Sequence, residues 1–444
     1  MAVYKWVGGA AATAQIDTLT PGGTLAATDV LRVTLTAEDG STQQHVDTTL
    51  TGSTVASACD DLVLALQAST ETLFRRLTFS DQTTHVQVTA NVAGVPFYMT
   101  TSVTNTSGGG APSLTRAAST ASSGPNDFNV LANWILADGA APSGGEGVPG
   151  ANDEIHCSTG DFDILYGLDQ NTTDLAQFRI TGGYQGSIGQ PLIPLHIGVS
   201  NVTSGNISIL SLGGRGRRYN LEGAVDNCIV TRCNGLIDLK LTSMDTLQVV
   251  GNAVGGRITL KNGSSWATGG GAPQKYRQVM AENANVKFES GVSNCSKCHI
   301  DGGYFETHSS VTSTNGTTFD MLRGTSCFKS SAAMAVGLNM FGGLFKYQSD
   351  QDLGSSSHEL LVYGGTVDVS QNTKVGSCTV HNPTVFQGVL DASAEQDNVI
   401  LQGPSDGSGG NEAATVYFGE IRFSRAAGQT RQGGFSKPSG NRLA

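Results

Sequence analysis

From about residue 126 onward the chain consists of short apolar runs, each stopped by Gly, Asn or Ser. No segment long enough for an amphipathic helix interrupts them. Asp163-Ile-Leu165, Ile207 to Leu212, Cys228-Ile-Val230, Leu236 to Leu241, Leu247 to Val250, Arg257 to Leu260 and Val286 to Phe288 are examples. One element also returns within this region: Gly302-Gly303-Tyr304-Phe305, Gly342-Gly343-Leu344-Phe345 and Gly364-Gly365-Thr366-Val367. The spacings are 40 and 22 residues, two coils and one coil of a solenoid that uses about 20 residues per coil. Gly182-Gly183-Tyr184 reads as an earlier copy. In such a stack inward residues alternate with outward ones, and Gly sits where the backbone turns at positive φ. The alternative is a pair of antiparallel sandwiches. The strands are not set out as hairpins around Asn-Gly turns, which favours coils. The expected fold is mainly β: a small N-terminal α+β domain followed by a right-handed parallel β-solenoid.

Composition agrees. Gly supplies 58 of 444 residues, without the every-third-residue period of collagen. Only 14% of residues are charged, against a usual share of about 25%, and 38% are hydrophobic, enough for a real core. A net charge of −11 argues against a general nucleic-acid binder. No run approaches the ~18 apolar residues of a membrane span. The opening Met-Ala-Val-Tyr-Lys-Trp-Val-Gly-Gly has no apolar stretch of the kind a Sec-type signal carries, so assembly in the cytoplasm is expected.

Four segments follow. Residues 1–108 read as a small domain of order ββαβββ. Its strands are expected over 29–36, 41–50, 73–79, 85–89 and 97–103. Its helix starts at the Ser53-Thr54 cap and shows one apolar face through Val55, Cys59, Leu62, Val63 and Leu66. Residues 109–125 read as a Gly/Ser/Pro linker. Residues 126–403 are the solenoid. Residues 404–444 form a polar basic arm: Arg422, Arg425, Arg431, Lys437 and Arg442 occur there and the last 24 residues contain no acid. The arm is either a frayed terminus or a dock for an acidic partner or neighbouring copy.

Few residues announce chemistry. Cys295-Ser-Lys-Cys298-His299 matches the C-x-x-C-H pattern of covalent haem attachment, or with His308 a zinc site. Its setting among coils points instead to packed or exposed thiols. Equivalent residues on neighbouring coils lie about 5 Å apart, so Asp301, Glu306, Asp368 and Asp391 are candidates for paired carboxyls of a glycosidase kind. Gly213-Gly-Arg-Gly-Arg-Arg218 lacks the Lys-Ser/Thr of a phosphate loop and reads as an exposed loop. His156-Cys157 and Arg232-Cys233 have no partner legible in the sequence. No catalytic, cofactor-binding or metal residue is assigned, and no cofactor is expected.

Several stretches resemble tailed-bacteriophage virion proteins. They are Ala12-Thr-Ala-Gln-Ile-Asp-Thr-Leu-Thr-Pro21, Thr89 to Phe97, Ser123-Gly-Pro-Asn-Asp-Phe-Asn129, Asn133-Trp134 and Asp163 to Asp169. Over roughly residues 10–200 the layout is similar to β-helical structural proteins of the tail-fibre, spike or capsid-decoration type. In such proteins an Asn-Trp, a Pro and an Asp-x-Ile precede the first coil, and here the Trp is expected to cap the open end of the stack. The resemblance implies a non-enzymatic virion component assembled in the host cytoplasm as a homotrimer. It would contact other virion proteins through residues 1–108 or the basic arm, and a host-surface glycan is a further expected partner. Neither nucleic acid nor membrane is an expected partner. The competing readings are a tailspike polysaccharide depolymerase on the same scaffold and a cellular surface adhesin.

Overall fold

The computed structural model describes residues 2–38, 40–143, 145–198, 206–210, 217–225, 227–232, 235–242, 244, 246–250, 256–265, 278–289, 291–292, 297–307, 317–329, 336–350, 352–353, 360–370, 378–381, 383–392, 399–402, 415–416 and 420–423.

The small domain has two antiparallel sheets. One runs Gln43–Thr49, Val30–Thr36, Tyr98–Thr104; the other runs Leu77–Asp81, Val86–Ala90, Ile16–Gly23, Pro112–Thr120. The helix Val55–Gln67 packs on both. Its capping hydroxyl at Thr54 accepts a hydrogen bond from the Ser57 N–H at 3.1 Å, and Ala58, Cys59, Leu62 and Leu66 face the core. Leu31, Val33, Leu35, Val86 and Val88 complete that core from alternate strand positions.

Three sequence expectations need correction here. Phe74–Arg76 is a 3-10 turn, and the strand expected from residue 73 begins at Leu77. The expected linker 109–125 contains the strand Pro112–Thr120, paired along its length with Ile16–Gly23. Its backbone supplies the ladder whatever its side chains are, and two of them anchor it. Leu114 enters the core, and Arg116 meets the fully buried carboxylate of Asp17 at 2.5 Å. Finally, Val3–Trp6 does not belong to the small domain. It pairs in parallel with Glu154–Cys157 and antiparallel with Trp134–Leu136, at the start of the coils.

Beyond that point the chain is a parallel β-solenoid. One ladder stacks Glu154–Cys157, Gln177–Ile180, Asn206–Leu210, Asn227–Thr231 and Thr246–Val250, then continues through the first halves of Gln278–Phe288, Lys297–Thr307 and Thr317–Phe328. It ends with Val336–Met340, Leu360–Val362, Pro383–Val385 and Thr415–Val416. A second ladder stacks Asp169–Asp174, Leu195–Gly198, Arg218–Ala224, Leu236–Thr242 and Arg257–Leu260, then the second halves of the three long strands, Leu344–Tyr347, Thr366–Asp368, Val389–Ala392 and Glu420–Phe423. Cys378–His381 and Val399–Gln402 pair on a third side. Every partner lies one coil away, so inward residues form columns: Cys228 over Leu247, Leu239 over Leu260, Val367 over Leu390. Aromatic contacts thread the later coils, with ring centroids 5.1 Å apart for Phe288 and Phe305, 5.7 Å for Phe305 and Phe319, and 5.4 Å for Phe319 and Phe345.

The glycine repeat is the corner between the two ladders. Gly303, Gly324, Gly343 and Gly365 all have φ between 76° and 91°. A Cβ on Gly324 would stand 2.7 Å from the Gly303 carbonyl oxygen, and on Gly343 2.5 Å from the Gly324 carbonyl oxygen. The 40-residue spacing in the sequence thus hides one copy, Arg323-Gly324-Thr325-Ser326, whose single glycine occupies the essential position. Gly182-Gly183 follows Gln177–Ile180 in the same place, where a Cβ on Gly183 would lie 2.5 Å from the Ser158 carbonyl oxygen. The ladders also run past residue 403, because Thr415–Val416 and Glu420–Phe423 belong to them. Arg425, Arg431, Lys437 and Arg442 lie outside the described residues.

The base of the solenoid and the small domain are tied twice by the chain, through residues 7–15 and 121–133. Asn133, fully buried, knots the two connections. Its carbonyl accepts from Val7 N–H at 2.9 Å and its side-chain oxygen from Ala10 N–H at 2.8 Å. Its side-chain amide donates to the carbonyls of Gly124 and Asp127, each at 2.8 Å. Beside it Trp134 packs edge-on against Trp6 and Phe128 at 4.9 Å, and its indole N–H donates to the Phe128 carbonyl at 2.8 Å. This cluster closes the first coil, so the position expected to cap the stack does so with Tyr4 and Trp6 brought from the N-terminus. A bare end would expose apolar side chains and unpaired strand edges.

Candidate functional site

Two outward stripes run along the corner and the second ladder of the later coils. The first is charged. Lys287, Glu306, Cys327, Lys346, Asp368 and Asp391 are successive register partners, one per coil. Glu306 lies 3.4 Å from Lys329 and 4.0 Å from Lys287, and accepts a hydrogen bond from the Tyr304 hydroxyl at 2.6 Å. Burial, then the neighbouring Glu306 carboxylate, push the Tyr304 phenol well up. Asp301 is held by Arg323 at 2.5 Å. Two of the four carboxylates named from the sequence are therefore matched with cations rather than with acids.

The other two are brought together. Asp368 and Asp391 are direct register partners, so their backbones stand about 4.8 Å apart on adjacent coils. Asp368 Oδ1 accepts from the Ser370 N–H at 2.9 Å and the Ser370 hydroxyl at 2.5 Å. Along the register, Lys346 stands one coil before the pair and the backbone of Arg422 one coil after it. A retaining glycosidase needs two carboxyls about 5–5.5 Å apart, and this register sets the two acids on neighbouring coils of one face.

The second stripe is aromatic and has no counterpart in the sequence reading. Phe341, Tyr363 and Phe386 directly follow successive strands of the first ladder, just before the corner glycines. Their rings stack 5.0 and 4.8 Å apart with planes only 7° and 2° from parallel. Leu322 holds the same place one coil earlier. Phe341 is 51% exposed, Tyr363 39% and Leu322 37%. Because each ring covers its neighbour's face, the stripe offers ring edges to solvent. A flat ligand that needs a ring face finds one only at an end of the stack.

The cysteine motif is divided. Cys298 faces the core and is 2% exposed, while His299, the next residue of the same strand, points to the other side. They do not converge on one haem or one metal. Cys295 and His308 lie outside the described residues, as do Gly213 to Gly216 and Cys233. His156 Nε2 is 3.2 Å from Glu154, and Cys157 is buried in the core, where desolvation raises its thiol. Cys228 is likewise pushed up to about 12 by burial. Such thiols are packing groups, not nucleophiles.

Compared with known proteins, the chain matches no family model, no curated protein and no solved structure.

Proposed function

We propose that this chain is a non-enzymatic virion structural protein of a tailed phage, a fibre, spike or capsid-decoration subunit in which the small domain anchors and the solenoid projects. One observation carries the reading: the neck. The strand Val3–Trp6 is built into the first coil, the Asn133 knot joins both connections, and the aromatic cluster seals the end, so a load on the rod passes to the small domain through two chain crossings. Such a mounting suits a part that projects from an assembly. In this reading the subunit assembles in the host cytoplasm as a homotrimer. It contacts other virion proteins through residues 1–108 or the basic segment 404–444, and presents the rod for particle stability or attachment to a host-surface glycan. Mass spectrometry of purified particles, with copy number per particle, tests it. A few multiples of three are expected for a fibre or spike and hundreds for a decoration protein. Recovery only from washed cell envelopes, as for a cellular adhesin, contradicts it.

The Asp368–Asp391 pair favours a second reading, a tailspike depolymerase on the same scaffold. Release of reducing ends from host polysaccharide, lost in both Asp368→Asn and Asp391→Asn, would establish it in place of the passive rod. Unchanged polysaccharide would remove it.

A further inference from the structure

The small domain holds a cavity of about 410 Å3 that neither the anchoring role nor the rod uses. Three segments converge on it: the end of Val30–Thr36 with the turn that follows, the 3-10 turn Phe74–Arg76, and the turn leading from Val86–Ala90 to Tyr98–Thr104. Its floor is Leu35, Leu77 and Ala90, and its walls are Val92, Val95 and Phe97. Collapse would normally remove such a space, because apolar surface left in water costs about 25 cal/mol per Å2.

Hydrogen bonds from three side chains hold the converging segments in place. Asn91, on the rim, donates from its side chain to the Arg75 carbonyl at 3.2 Å, and its own N–H donates to the Arg76 carbonyl at 3.0 Å. Buried Gln15 brackets Phe97, accepting from its N–H at 3.0 Å and donating to its carbonyl at 3.1 Å. Gln44 accepts from the Leu73 N–H at 2.7 Å. The walls are thereby kept apart by hydrogen bonds that closing the cavity would break.

The mouth is charged. Arg75 and Arg76 both line it, both are exposed, and neither makes a side-chain hydrogen bond or ion pair among the described residues. The third charged lining group, Glu38, turns toward the rod, with its carboxylate 3.5 Å from the Gln190 side chain. Two uncommitted guanidinium groups over an apolar cavity are unusual on a chain of net charge −11. A guanidinium recognises carboxylate, phosphate or sulfonate oxygens in a fixed fork geometry. A cavity of this size and lining is that of a small-molecule site.

We propose that this cavity is a binding site for a small amphiphilic anion, with the apolar body among Leu77, Val92, Val95 and Phe97 and the anionic head on Arg75 and Arg76. The inference concerns the small domain alone and stands whether or not the rod belongs to a virion.

The test uses the full chain with 1-anilinonaphthalene-8-sulfonate, itself an apolar ring system bearing one sulfonate. Its fluorescence is followed as decanoate, decanol or decyltrimethylammonium competes. Decanoate is expected to displace the probe at a concentration at least about tenfold lower than the other two, a difference of roughly 1.4 kcal/mol. In Arg75→Gln/Arg76→Gln that preference should vanish. Val95→Trp fills the cavity and should abolish the displaceable signal. Should that variant fail to fold, Val92→Asp decides, since Val92 is 60% exposed and its replacement leaves the core alone. Phe341→Ser should leave the displaceable signal intact, which separates the cavity from the aromatic stripe. Equal competition by decanoate and decanol overturns the proposal, as does a displaceable signal that survives Val92→Asp. Co-sedimentation with phosphatidylglycerol vesicles in place of decanoate binding overturns it too, because the ligand would then be a lipid surface.

Discussion

Replacing Gly343 by Ala tests the stacked corner directly. Two costs are combined at this position. With φ at +83° the residue is left-handed, which costs an L-residue about 1–2 kcal/mol. The new Cβ would also meet the Gly324 carbonyl oxygen at 2.5 Å and the Arg323 carbonyl carbon at 2.9 Å, both backbone atoms of the coil before. Neither can rotate away, so the two coils must part by nearly 1 Å, against hydrogen bonds such as Phe341 N–H to the Met321 carbonyl at 2.8 Å. Overpacking of this kind costs about 1–3 kcal/mol. The combined loss is about 2–5 kcal/mol.

Gly139→Ala is the matched control. Its φ is +89° with nothing within 4 Å, so it bears the conformational cost without the contact. Hydrogen exchange read by mass spectrometry suits the comparison, because coils of a solenoid open locally and depend on their neighbours. In Gly343→Ala, amides of 319–328, 338–347 and 360–368 should exchange roughly thirtyfold to several thousandfold faster, while those of 227–231 and 236–242 stay as they were. In Gly139→Ala only the turn near residues 134–140 should change, by about thirtyfold or less. An effect of Gly343→Ala no larger than that of Gly139→Ala would refute the close stacking of the coils.

Other consequences are as specific. Asn133→Ala leaves the part-buried Ala10 N–H without its acceptor and frees two carbonyls, at a cost of up to about 1–3 kcal/mol per group left unsatisfied, so limited proteolysis should cut within 7–15 or 121–133. Uncut protein would remove Asn133 from the neck. The Asp60 carboxyl is held above the usual carboxylate range, first by its hydrogen bond with Asp81, then by desolvation and the Asp81 charge. A raised native pKa means that its stabilisation is full below the ordinary value of about 4 and is lost as pH rises through the raised one. Thermal melts should therefore show Asp60→Asn gaining on the wild type as pH rises through that window, and parallel curves would contradict the shared proton. Cys157 and Cys228 should resist Ellman's reagent at pH 8 until urea is added, since burial raises both thiols. Rapid labelling of either in the native protein would place it outside the core.

The solenoid was legible because its determinants are local and repeated. A corner glycine must recur in every coil where backbones approach, and alternating apolar residues must recur between corners. Once Gly303, Gly324, Gly343, Gly365 and Gly388 are aligned, the site follows by counting. Three residues on lie Glu306, Cys327, Lys346, Asp368 and Asp391, and two residues back lie Leu322, Phe341, Tyr363 and Phe386. The acidic pair was accessible in this way. The aromatic stripe is harder to see because its residues precede the glycines and change type from Leu322 to Phe341, Tyr363 and Phe386, so no fixed motif marks it. The neck was hidden for a different reason. Val3–Trp6 finds its partners at 134–136 and 154–157, and nothing local in Val-Tyr-Lys-Trp distinguishes a strand of the small domain from a strand of the first coil. Pro112–Thr120 was lost to composition, since Ser, Thr and Ala next to Gly-Gly-Gly look unstructured until Ile16–Gly23 is set beside them. The cavity at Arg75 depends on three turns meeting, which no single stretch of sequence expresses.

Distances along one register column of the first ladder test the coiled stack most directly. Arg179, Ser208, Ile229, Gln248, Met280, His299, Asp320, Asn339 and Leu361 follow one another in register, one per coil. Genetically encoded spin labels at Arg179 and His299 are five coils apart, and at Arg179 and Leu361 eight, so dipolar spectroscopy should give backbone separations near 24 Å and 38 Å at about 4.8 Å per coil. A longer pair that reads equal to or shorter than the shorter pair would mean that the chain folds back on itself, and the stacked rod would be wrong.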